Sequence, residues 1–154
     1  MSHGFIKNNS NFSSGDLFSP EHWLNKLLHP YRHAHTCNYQ GKPLLIRWTR
    51  RAQHALELQE TPLLVEMQLY FSCMIKKRVL FHSLHETDKT DIFTINDNLA
   101  VIMRAVQASS CDPNEFARHY PAQRVLETPA AKAMQARQLD IDYRRGQWQG
   151  DFII

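Results

Sequence analysis

Residues 63–81 read LLVEMQLYFSCMIKKRVLF. Val65, Met67, Leu69, Phe71, Cys73 and Ile75 alternate with Glu66, Gln68, Tyr70, Ser72, Met74 and Lys76. A period of two sends successive side chains to opposite faces of a sheet, so this run carries the strongest strand signal in the chain. It contains no Gly, Pro, Asn or Asp to mark a turn. The expectation is one long strand over 63–82, with Lys76-Lys77-Arg78 as the place for a bulge or a change of partner. Glu66, Gln68, Lys76, Lys77 and Arg78 also keep the run from being the ~18–20 apolar residues of a membrane span.

Downstream, residues 85–91 (HETDKTD) form a polar turn, and Ile92–Ile95 is expected to return as a hairpin with 79–84. Asn96 or Asp97 then caps a helix whose face is Leu99, Ile102, Met103 and Val106. Asp112-Pro113-Asn114-Glu115 opens a short helix that Pro121 ends, and Thr128-Pro129 opens another through about Gln138. Leu139, Ile141 and Tyr143 alternate, Arg145-Gly146 turns, and Trp148, Phe152 and Ile154 suggest a terminal strand. Upstream, Ser19-Pro20-Glu21 starts an amphipathic helix carrying Trp23, Leu24, Leu27 and Leu28, stopped by Pro30. Residues 31–43 lack a period and read as a loop with a turn at Gln40-Gly41. Residues 44–59 read as a helix on the stripe Leu45, Trp48, Ala52, Ala55 and Leu56. A short strand at Leu44, Ile46 and Trp48 before a helix from Thr49 is the alternative.

These elements predict an α+β fold. A flexible N-terminal tail spans 1–18, and residues 19–154 form a single globular domain with an antiparallel sheet centred on the long strand 63–82 and flanking helices. The length of 154 residues suits one domain, and a hydrophobic share of 43% supports a real core. The net charge of +3, with acids close to the bases, does not announce nucleic acid. The N-terminus lacks the apolar core of a secretory signal. Three widely spaced cysteines, Cys37, Cys73 and Cys111, suit a reducing compartment, so the expected location is cytoplasmic.

Four groups of residues could carry chemistry. His33, His35 and Cys37, joined by His82 and His85, offer imidazole and thiolate donors of the kind zinc takes. The spacing matches no established zinc motif, and solvated loop histidines are the plainer reading. Cys37, among histidines, is the better candidate nucleophile; Cys73 sits with the apolar side of its strand. Glu66, Gln68, Tyr70 and Ser72 form the other side of the strand. That side is solvated in an open antiparallel sheet. If it is covered, it becomes a polar pocket lining with Glu66 as base or ligand anchor. Lys76, Lys77, Arg78, Arg50 and Arg51, with aromatics nearby, could contact nucleic acid or phosphate. No phosphate loop, dinucleotide fingerprint or nucleophile elbow occurs.

The expectation is thus a noncatalytic binding or adaptor domain for a protein partner, or one that self-associates through a sheet edge. A zinc protein and a nucleic-acid-binding domain are the alternatives. No cofactor other than zinc is suggested, and no membrane.

Overall fold

The computed structural model describes residues 20–71, 74–87, 89–108 and 123–154. The expected tail 1–18, the helix after Asp112, and Ser72, Cys73 and Cys111 lie outside the described residues. The fold is α+β, with two sheets and short helices. Helix α1 (Pro20–Leu28) leads into strands β1 (Tyr31–Tyr39) and β2 (Lys42–Thr49), then helix α2 (Arg50–Leu58). Strands β3 (Leu63–Phe71), β4 (Ile75–Ser83), β5 (Phe93–Asn96), β6 (Leu99–Ala108) and β7 (Gln123–Val125) follow, with one 3₁₀ turn at Leu84–Glu86. Helix α3 (Pro129–Ala133) and strands β8 (Gln138–Arg144) and β9 (Gln147–Ile153) complete the chain.

The first sheet has the order β1-β2-β8-β9. The second has the order β4-β3-β6-β5, with β7 also paired to β6. Both sheets are mixed: β2 runs parallel to β8 and β3 parallel to β6, against the expectation of an antiparallel sheet. Between the sheets lies one apolar core. It takes Leu44, Ile46 and Trp48 from β2, Leu139 and Ile141 from β8, and Trp148 and Phe152 from β9. From the second sheet it takes Val65, Met67, Leu69, Val79, Phe81, Leu99 and Val101.

Residues 63–82 are not one long strand. Leu63–Phe71 folds back on Ile75–Ser83, from the pair Leu63↔Ser83 to Phe71↔Ile75. The alternation runs through both arms because each keeps one face on the core, and so it hides the reversal. Residues 44–59 are not a helix throughout. Leu44, Ile46 and Trp48 bury on one strand face, and Thr49 then caps α2 by accepting the Ala52 N–H at 3.2 Å. The segment read as a loop, 31–43, is mostly β1. It is an edge strand with polar side chains outward, so it carries little apolar period. Its turn does fall at Gln40-Gly41, and β8 and β9 turn at Arg145-Gly146. All four residues have positive φ, the two-residue turn that matches strand twist and favours Gly second.

The face Leu99, Ile102, Met103 and Val106 belongs to β6, not to a helix. Leu99 to Ile102 are buried in unbroken succession, because β6 lies between β3 and β5 with both faces covered. Strand β5 accordingly pairs with β6 and not with 79–84. Helix α3 is capped by Thr128 as expected, but it stops at Ala133, ahead of the pairing of Gln138 with β2. Among the described residues, no helix is long and apolar enough to cross a membrane.

Candidate functional site

Strand β3 is an interior strand of its sheet, between β4 and β6, and every residue from Leu63 to Tyr70 is buried. The polar side of the alternation is therefore covered, not solvated: Glu66 is 1% exposed, and Gln68 and Tyr70 are buried beside it. A buried carboxylate needs partners, and the neighbouring strands supply them. His82 on β4 lies with Nε2 2.7 Å from Glu66 Oε2. The Lys89 ammonium, from the connection before β5, donates to the same oxygen. Gln68 Nε2 donates to Oε1 at 3.4 Å, and Arg104 on β6 reaches Oε1 at 3.5 Å. Arg78 in turn donates to Gln68 Oε1.

Burial alone would raise the Glu66 carboxyl. The hydrogen bonds from His82 and Lys89, with their charges, outweigh it and hold the group at about 2. An ionised carboxylate has no proton to give, so the His82 ring must donate through Nε2–H. A carboxyl this acidic is a feeble base near neutral pH. Its chemical work is to anchor His82 and Lys89 on the sheet.

Lys89 and Arg104 also line an open groove of about 1280 Å³. It opens along β6, where strand β5 covers Leu99 to Val101 and β7 covers Val106 to Ala108. Within the gap, the Tyr39 hydroxyl accepts the Met103 N–H at 2.9 Å, and the Leu126 N–H donates to the Ala105 carbonyl at 2.8 Å. The far wall is the segment from Val125 to Gln135.

The histidine and cysteine candidates do not gather around this site. His33, His35 and Cys37 lie along β1. The His33 ring stacks on Trp48 at 5.8 Å, His35 is exposed, and the Cys37 thiol donates to the Leu44 carbonyl at 3.8 Å. Cys37 packs against the core between the sheets, whereas His82 belongs to the opposite face of the second sheet. His85 is exposed on the 3₁₀ turn. Among the described residues, no three His, Cys, Asp or Glu side chains come together as metal ligands would. Burial pushes the Cys37 thiol up, away from the thiolate a nucleophile needs.

The basic candidates are also dispersed. Lys76 and Arg50 are exposed on separate elements, Lys77 reaches Asp151 and the Phe152 carbonyl on β9, and Arg78 turns to Gln68. Arg51 pairs with Asp142 on β8 and donates to Asn25 Oδ1 at 3.1 Å. Sequence reasoning found Glu66 and His82 but not Lys89 or Arg104. Lys89 lay in a segment read as a polar turn and Arg104 in one read as a helix. Only the β3–β6 register, Gln68 opposite Arg104, brings that pair of strands into correspondence.

A second feature stands apart from the sheet. The apolar stripe of α1 faces solvent: Trp23, Leu24, Leu27 and Leu28 are each between 57% and 72% exposed. Among the described side chains of the helix, the half-buried one is polar Asn25, held by Arg51. Comparison with protein-family models, curated proteins and solved structures finds no match to this chain.

Proposed function

We propose that this chain is a noncatalytic binding module that docks α1 into an apolar groove of another protein. The observation behind the reading is the orientation of α1, whose apolar stripe faces outward while Asn25 is tied to Arg51. Burying a large aliphatic or aromatic side chain is worth ~1.5–3 kcal/mol, so four left in water forgo substantial stabilisation that a partner can recover. Their spacing, 23/27 and 24/28, is the i, i+4 pattern of helix-in-groove recognition.

Area argues for a different protein over a second copy. The stripe offers on the order of 500 Å², the size at which an exposed patch marks an interaction site. Two such stripes face to face would bury on the order of 1,000 Å², short of the ~1,200 Å² where stable interfaces begin. A groove wraps the helix and adds surface of its own. The cytoplasm is the compartment we propose, since the Cys37 thiol is free and packed against the core.

The test places a photo-crosslinking residue at Leu27 of the full chain, with an exposed control at Lys76. The reading expects one reproducible adduct with a different protein at Leu27, none at Lys76, and loss of the adduct in Leu28→Ser. The partner, once purified, should bind the Leu28→Ser chain at least tenfold more weakly, about 1.4 kcal/mol. Melting should be unchanged, since the substitution is on the surface. Adducts only between copies, with lipid, with residues 1–19 of the same chain, or none at all would each overturn the reading.

A further inference from the structure

We propose that the protein groove receiving α1 is flanked by acidic side chains, which meet a basic end of the first sheet built from Arg50, Arg144 and Arg145 together with Lys26. The inference rests on the docking role of α1 and names the chemistry of its partner. Strands β2 and β8 run parallel, so the start of α2 and the β8–β9 turn lie at the same end of that sheet. Arg50 opens α2 and Arg145 sits in the turn; both are exposed, and Arg144 before the turn is half-buried. Helix α1 is tied to this same end. Arg51 Nη2 donates to Asn25 Oδ1 at 3.1 Å, and Arg51 Nε donates to Asp142 Oδ1 at 2.7 Å. Thr49 Oγ1 donates to the same carboxylate oxygen at 2.6 Å.

These bonds bound the spacing of the cations. Arg50 adjoins both Thr49 and Arg51, and Lys26 adjoins Asn25, each a Cα step of ~3.8 Å. Arg145 follows Asp142 by three residues, which span at most about 11 Å. Asp142, the acid at the centre, is paired with Arg51. Arg50, Arg145 and Lys26 then add three exposed positive charges beside the stripe, against Glu21 in the first turn of α1. Like charges at about one Debye length (~8 Å at physiological salt) repel, and an acidic rim converts that repulsion into attraction. A second copy would bring the same cations together across a two-fold axis, so charge favours a different protein, as area does. An anionic lipid surface would attract the cations but repel Glu21, which a protein rim can leave in water.

Stopped-flow mixing of the full chain with the purified protein recovered in the Leu27 adduct tests the proposal, at about 20 mM and about 500 mM salt. The variant combines Arg50→Glu with Arg145→Asp. Glu suits the start of α2, and Asp suits the positive φ of 53° in the turn, so the fold should be kept, as melting would confirm. Its association rate should fall about tenfold at low salt and less than about twofold at high salt, with dissociation changed less than about twofold. A control combining Lys76→Glu with Lys132→Glu, exposed positions on β4 and α3, makes the same change in net charge and should associate within about twofold of the parent. Leu28→Ser reports on docking separately, through faster dissociation. The basic end is overturned, with docking left standing, if Leu28→Ser weakens the complex while the Arg50/Arg145 variant associates like the parent at both salts, or while the control slows as much. Binding to vesicles of phosphatidylserine in phosphatidylcholine that the same variant abolishes would assign the cations to lipid and also overturn it. If Leu27 gives no protein adduct, or Leu28→Ser binds like the parent, the docking reading falls and this inference with it.

Discussion

Replacing Glu66 by Gln should change the acid stability of the fold in a defined window. The carboxyl sits at about 2, against an ordinary 4.5. The side chain is 1% exposed, so solvent does little to screen it. The folded chain therefore binds this proton about 3 kcal/mol more weakly than the unfolded chain. Because the folded-state value is depressed, the stabilisation is fully present above the unfolded value and is lost as the pH falls from about 4.5 toward 2. About 2 kcal/mol of it should be gone by pH 3. Glu66→Gln lacks this titration and also leaves Lys89 without its counter-charge. Breaking a buried pair in this way costs ~3–5 kcal/mol at neutral pH. Urea unfolding of both chains at pH 7, 5, 4 and 3 measures the difference, and the other carboxylates cancel in it. The gap should be wide at pH 7 and narrow by about 2 kcal/mol at pH 3. Adding Lys89→Met to Glu66→Gln should recover much of the loss, since both charges then leave together. A gap that stays constant with pH, or a Glu66→Gln chain as stable as the parent at pH 7, would refute the ion-pair account.

Other substitutions report on the rest of the frame. Asp142 accepts from Arg51, from Thr49 Oγ1 at 2.6 Å and from the Tyr143 N–H at 2.8 Å, so Asp142→Asn should cost about 1–3 kcal/mol in urea unfolding. Burial opposes its ionisation, but Arg51 and Thr49 hold the carboxyl below its usual range, so this loss too should shrink as the pH falls through the acid range. A Cβ at Gly150 would meet Val79 Cγ1 at 3.0 Å, Phe81 Cζ at 3.1 Å and the Asp140 carbonyl at 3.3 Å; Gly150→Val should lower the melting temperature more than Gly150→Ala, with a cost of about 1–3 kcal/mol. In a chain carrying Cys73→Ser and Cys111→Ser, Cys37 should react with a thiol reagent much more slowly when folded than in urea, since burial pushes its thiol up and the S–H is directed to Leu44.

The α+β class was legible because strand alternation and helix caps are local signals. Thr49, Thr128 and the turns at Gln40-Gly41 and Arg145-Gly146 each act within four residues. What failed were the readings that depend on a neighbour. Strand β6 carries Leu99, Ile102, Met103 and Val106, a set that fits a helix face as well as a strand buried on both sides. Only its place beside β3 decides between them. Strand β1 has the converse problem: as an edge strand it needs few apolar residues, so its sequence looks like a loop. The site shows the same division. Glu66 stood out because a charge broke an apolar run. Whether it faced water or a covered surface was set by β4, β6 and the connection carrying Lys89.

Helix α1 shows where amphipathicity stops being informative. Trp23, Leu24, Leu27 and Leu28 define a stripe in the sequence, and the usual inference is that such a stripe packs on the core. Here the core lies between the two sheets, and among the described residues α1 is tied to the rest of the fold by a polar contact. Arg51, fixed by Asp142 on β8, reaches out to Asn25, a residue outside the stripe. An anchor on that side turns the stripe outward. The chain Asp142–Arg51–Asn25 thus links the first sheet to the orientation of the helix, and it offers a way to separate the docking proposed for α1 from folding. Asn25→Ala should leave the fold intact, since one partly buried hydrogen bond is worth about 1 kcal/mol. It should nevertheless weaken the partner, because the helix is then no longer held in its docking orientation and must be ordered on binding. If Asn25→Ala binds the Leu27 adduct partner as tightly as the parent chain, the clamp plays no part in presentation and α1 recognises its groove as a free helix.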